Sequence, residues 1–148
     1  MASDLLLRLA VITGNQEYTV KATTPLRALY DLMGKAPAGT GHWLAALDFH
    51  VSSPKELAVI GPRENPATQQ LLDTINGRYL PNKVVVGAEG PLSPTAEGGV
   101  GGVSSLHRIP LLQDRGMVDG KPAAYVCQNY VCKLPVTEPE ALARQLAD

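Results

Sequence analysis

The sequence predicts an α/β protein: a small, largely parallel sheet with flanking helices, preceded by two or three further helices. Three observations carry this. Up to about residue 52 the apolar residues recur at three- and four-residue spacing. From residue 55 onward, short apolar runs bounded by Pro and Gly alternate with a helical segment. The succession strand, helix, strand between residues 56 and 87 has the length of a βαβ unit, whose two strands lie parallel. The expected division is therefore a helical segment over 1–52 and an α/β domain over 53–148, with a flexible Gly/Pro loop at 88–105. A chain of 148 residues holds about one domain on the usual ~150-residue scale.

The first helix starts near Ser3 or Asp4, either of which can cap it, and Gly14 sits where a C-terminal cap belongs. Between them only Arg8 is clearly polar among Leu5, Leu6, Leu7, Leu9, Ala10, Val11 and Ile12. Such a helix needs contacts on more than one side, and the run reads as a face whose neighbours are missing. A second helical stretch covers about Glu17 to Lys35, with a kink or a fresh start at Thr24-Pro25. A third follows the Pro37–Gly41 break and carries His42, Trp43, Leu44, Leu47 and Phe49 before Ser52-Ser53-Pro54.

Glu56-Leu-Ala-Val-Ile-Gly61 is a continuous apolar run suited to a buried strand. Asn65-Pro66 opens a helix through Leu71, Leu72, Ile75 and Tyr79, as cap and first helical residue. Lys83-Val-Val-Val-Gly87 is the second strand. Eight of the chain's 26 Gly and Pro residues fall between Gly87 and Gly102, which marks the loop. After it come an apolar patch at Ile109–Leu112, a turn at Asp119-Gly120, a strand at Ala123–Cys127 and its continuation or hairpin partner at Val131–Leu134. Thr137-Glu-Pro-Glu140 forms a capping box that opens the last helix.

Thirteen basic against fourteen acidic residues give a net charge of −1, which excludes a global attraction to nucleic acid or anionic membrane. No apolar run approaches the ~20 residues of a membrane-spanning helix, and the start carries Asp4 where a signal peptide needs positive charge. A cytoplasmic location is the expectation.

Cys127 and Cys132 are the two cysteines, with four residues between them rather than the two of a thioredoxin-type pair. Three readings stay open: two small buried apolar residues near a strand end, a labile disulfide across a hairpin loop, or a thiol-sensing pair. Neither they nor the three scattered histidines supply a four-ligand metal set. His42 beside Trp43 suits a sugar-stacking cleft; the alternative is a core Trp43 with a surface His42. Gly61-Pro-Arg-Glu-Asn65 joins strand to helix, where α/β sheets bind ligands such as sugar phosphates or nucleotides. It lacks the phosphate-loop signature, and Pro62 removes one amide donor. No cofactor and no catalytic residue is assigned.

Three segments together resemble one family: Ser53–Gly61, Tyr79–Val86 and Gly120–Pro135, the last with both cysteines and followed by a Pro-x-Thr-x-Pro-Glu pattern. They are similar to the extreme C-terminal region of large thioredoxin domain-containing proteins, the spermatogenesis-associated thioredoxin-like group. Leu5–Leu9 and Gly41–Phe49 look like the closing helices of that family's α/α toroid, itself similar to six-hairpin glycosidases and N-acylglucosamine epimerases. The resemblance implies carbohydrate or redox-related metabolism for full-length relatives. For this chain it implies a C-terminal fragment, non-catalytic alone, that caps the toroid. The partners implied are the missing thioredoxin-like and toroid portions, or a second copy through exposed apolar helices. His42 and Trp43 would then line the toroid cavity.

Overall fold

A computed structural model describes residues 2–90, 109–129 and 131–147. The loop expected over 88–105 lies, beyond Gly90, outside the described residues. Among the described residues are six α-helices: α1 (Ala2–Thr13), α2 (Gln16–Ala28), α3 (Tyr30–Lys35), α4 (Gly41–Val51), α5 (Pro66–Asn76) and α6 (Pro139–Ala147). Four strands, β1 (Lys55–Ile60), β2 (Lys83–Ala88), β3 (Ala123–Gln128) and β4 (Val131–Cys132), form one sheet in the order β2-β1-β3-β4.

β1 and β2 pair in parallel, Lys55 opposite Lys83 through Ile60 opposite Ala88, as the βαβ reading requires. The sheet as a whole is mixed, not largely parallel: β3 runs antiparallel to β1, and β4 antiparallel to β3. The parallel expectation extended the βαβ rule to a strand that no periodic helical segment separates from its predecessor. The rule holds only where a crossover helix returns the chain to its starting end.

Both faces of the sheet are covered, which is why β1 is buried at every position from Glu56 to Ile60. Leu57, Val59, Ala124 and Val126 face α5 and α6, packing with Leu71, Ile75, Leu142 and Leu146. The opposite face carries Ala58, Ile60, Val84 and Ala88. There Val84 joins Leu7, Ala22, Leu26, Ala46, Phe49 and Leu111, while Ala58 and Ile60 meet Leu112. The segments 1–52 and 53–148 thus share one apolar cluster.

α1 packs against α2, α4 and β2, as an almost wholly apolar helix must. Leu7 and Ala10 are buried and Leu6, Leu9, Val11 and Ile12 half-buried, so the reading of a wholly uncovered face is corrected: only Leu5 stands open. The run is covered because α2 folds back along it after Gly14, whose φ of 70° ends the helix in the left-handed region. Exposed apolar side chains lie instead at Val20, Tyr30, Leu32 and Val51.

Arg8, the odd residue of α1, fixes that helix to the sheet. Its Nη1 donates to Lys83 O at 2.7 Å, its Nε to Asp4 at 3.1 Å, and its guanidinium lies 4.5 Å from the Phe49 ring centroid. Arg8→Met keeps the stem and removes the charged donor. We expect a loss of about 1.5 kcal/mol, the low end for hydrogen bonds to charged groups because the side chain is partly exposed. The measurement is the urea midpoint, with an unchanged slope.

Pro25 lies inside α2, which runs unbroken through it, so no new helix starts at Thr24; the helix ends later, at Leu29, whose amide bonds to Pro25 O at 3.1 Å. α5 begins at Pro66 with Asn65 Oδ1 accepting from the Ala67 amide, as expected. It stops at Asn76, short of Tyr79, and Lys83 Nζ donates to the Ile75 carbonyl near its end. α6 begins at Pro139, so Thr137 stands one residue outside the cap position, its hydroxyl 3.5 Å from Glu138 Oε1.

Candidate functional site

A polar constellation stands at the N-terminal end of β1. Across the sheet, Glu56 lies opposite Cys127 and Cys127 opposite Cys132, so all three side chains project from one face. The two cysteines are joined in a disulfide. Of the readings open in the sequence, the structure draws the hairpin-spanning bond: Gln128 opposes Val131, and Asn129 at φ 49° turns the chain. The two sulfurs differ in access, because Cys127 is 1% exposed while Cys132 lies on the exposed edge strand.

Arg115 meets both sulfurs. Its Nη2 is 2.9 Å from Cys132 Sγ and 3.4 Å from Cys127 Sγ. Tyr125 puts it there. The Tyr125 hydroxyl donates to Gly116 O at 2.8 Å and accepts from Gly116 N at 3.2 Å, fixing the turn, and the guanidinium sits 5.6 Å from the Tyr125 ring centroid. Burial pushes the Arg115 guanidinium below its ordinary value, and the Glu56 carboxylate, with Tyr125, opposes that shift. Its Nη1 is buried and has no hydrogen-bond partner among the described residues. A half-buried cation with one buried, unmatched donor beside a neutral disulfide is an anomaly of the kind that marks redox or ligand chemistry.

A cavity of about 350 Å³ opens beside this group, between α1, α2, the end of α4 and the hairpin. Glu56, His50, Gln16 and Asn129 give it polar walls, and Leu7 and Phe49 an apolar floor.

At the opposite end of β1 lies the 61–65 turn, flanked by a cavity of about 310 Å³ that Gly61, Arg63, Thr68 and Glu89 help to line. In the turn and just after it three amides are engaged: Gly61 N with Ala88 O, Asn65 N with Pro62 O, and Ala67 N with Asn65 Oδ1. Those amides are the donors that would otherwise cradle a phosphate. Thr68 Oγ1 is buried under Gly61 without a hydrogen-bond partner among the described residues. A Cβ on Gly61 would fall 2.6 Å from that oxygen and 2.7 Å from Pro122 Cβ. We therefore expect Gly61→Ala to destabilise by about 1–3 kcal/mol, as overpacking does, read as a lower thermal midpoint.

His42 is exposed in the first turn of α4, and Trp43 is half-buried against the Leu7–Phe49 cluster. Neither lines either cavity. Among the described residues no group of three or more His, Cys, Asp or Glu is placed to hold a metal, and no helix is long and apolar enough to cross a membrane. Arg115 and Glu56 were missed in the sequence. The one available signal was Tyr125, two positions before Cys127 and hence on the same strand face.

The chain is similar to spermatogenesis-associated protein 20 of Homo sapiens, 30% identical over 142 residues, and to the proteins of that name from Rattus norvegicus and Mus musculus, each 28% identical over 142 residues. Each match covers 95% of this chain but 17% of the relative, so the chain spans about a sixth of the length of these relatives. No family model matches the chain, and no solved structure matches it.

Proposed function

We propose that this chain is a non-catalytic closing module of a thioredoxin domain-containing protein with a six-hairpin glycosidase-like toroid. The observation that carries this reading is the lopsided match: nearly all of this chain aligns, and most of each relative lies outside the alignment. The α/β layer acts as a folded base, and the helical layer presents Val20, Tyr30, Leu32 and Val51 to the remainder of the assembly. That remainder is the thioredoxin-like and toroid portions, or a second copy of the chain. Its work, carbohydrate or redox-related metabolism, takes place in the cytoplasm. Nucleic acid and membrane are not partners, in keeping with the net charge of −1.

The experiment is size-exclusion with light scattering, together with a dye that reports apolar surface. The chain alone is expected to self-associate or bind the dye, and V20K/V51K to reduce both. A monodisperse monomer without dye binding overturns the reading. Surface substitutions of this kind leave stability within about 0.5 kcal/mol, so lost folding does not mimic the result.

A further inference from the structure

We propose that Cys127 and Cys132 form a redox-active disulfide that exchanges with a dithiol, Arg115 holding the departing thiolate. The inference stands on the geometry of the sulfur cluster and does not depend on the closing-module reading. Three observations carry it. The sulfurs are unequal in access: Cys132 sits on a two-residue edge strand, flanked by the exposed side chains of Val131 and Leu134, while Cys127 is enclosed. An approaching thiolate therefore reaches Cys132 Sγ. The leaving sulfur is then Cys127, and exchange runs faster when the leaving thiol has a low pKa. Burial and the Glu56 carboxylate opposite it across the sheet would raise the pKa of the Cys127 thiol, whereas a cation in contact lowers it. Arg115 Nη2 is that cation: it bridges the pair, 2.9 Å from Cys132 Sγ and 3.4 Å from Cys127 Sγ, and is held by the Tyr125–Gly116 clamp. Finally, the buried Nη1 without a partner is poorly matched to a neutral disulfide and well matched to an anionic sulfur.

The step balances as follows. The incoming thiolate attacks Cys132 Sγ; a mixed disulfide forms at Cys132, the bond between Cys127 and Cys132 breaks, and Cys127 Sγ leaves with the electron pair. The second thiol of the reductant, deprotonated, then attacks its own sulfur in the mixed disulfide. That closes the reductant's disulfide and releases Cys132 as a thiolate. Two electrons pass from dithiol to protein. Of the two protons given up, one goes to a cysteine sulfur and one to solvent, leaving one thiol and one thiolate beside Arg115.

The test uses the full chain with dithiothreitol, and with glutathione as a monothiol that stops at the mixed disulfide. We expect dithiothreitol to reduce the pair with the far-UV circular dichroism unchanged, and the glutathione adduct to map to Cys132 by peptide mass. In the reduced protein, thiolate absorbance should titrate at least one pH unit below the ~8.5 of a free cysteine. R115M should raise that midpoint by at least one unit and slow reduction roughly tenfold, the effect of losing a contact cation on a leaving thiolate. Y125F keeps the guanidinium and loosens its turn, so it should shift the midpoint the same way by less; it serves if R115M does not fold. Reduction only in denaturant, an adduct on Cys127, no thiol titrating below the free value, or a midpoint unmoved in both variants would each overturn the proposal.

Discussion

Phe49→Ala is expected to lower the stability of the fold by about 3–5 kcal/mol, the range for removing a buried aromatic ring. Phe49 is 2% exposed and belongs to the cluster in which α1, α2 and α4 meet Val84 of β2 and Leu111. Its ring also receives the Arg8 guanidinium, so the variant removes both the apolar filling and the surface that steadies the α1-to-sheet contact. For a chain of this size the shift in melting temperature should be roughly 2–4 °C per kcal/mol. A loss below about 1 kcal/mol would mean the helical layer is not packed on the sheet through this ring.

The second large effect is expected at Leu142→Ala. Leu142 is fully buried in α6, where it meets Leu71 and Ile75 of α5 and the Leu57–Val126 face of the sheet. About 2–5 kcal/mol should be lost, depending on how far α6 can settle into the space left behind. The two sites lie on opposite faces of the sheet with no shared neighbours. Their effects in the double variant should therefore add within about 0.5 kcal/mol in urea unfolding. Strong non-additivity would reveal that the sheet transmits strain between its two layers.

What the sequence made legible follows from where its signals are local. β1, α5 and β2 were readable because a continuous apolar run, an Asn-Pro cap and a second Val-rich run each act over a few residues. The strand at β3 and the end of α1 at Gly14 were legible for the same reason, whereas β4 was open between a continuation of β3 and its hairpin partner, and the pairing selects the hairpin. The direction of β3 was not. It is decided by a long connection without periodicity, and by pairing with a strand more than sixty positions earlier in register. A fresh helix start at Thr24 was not realised, because Pro25 marks a missing donor but not the residue at which the helix ends. In the candidate site, the cysteines were found and their surroundings were not. Arg115 belongs to no motif, and only the Tyr125 hydroxyl on Gly116 brings it over the sulfurs.

The reversed course of β3 has a consequence for the layout of the molecule. The hairpin that carries the sulfurs meets β1 at Glu56, whereas the parallel ends of β1 and β2 open toward Gly61, so Glu56 and Gly61 stand about 17 Å apart along one strand at ~3.3 Å per residue. An occupant of the far hollow would neither shield nor crowd the sulfur pair. The molecule has two poles, and each can be altered by mutation while the other serves as an internal control.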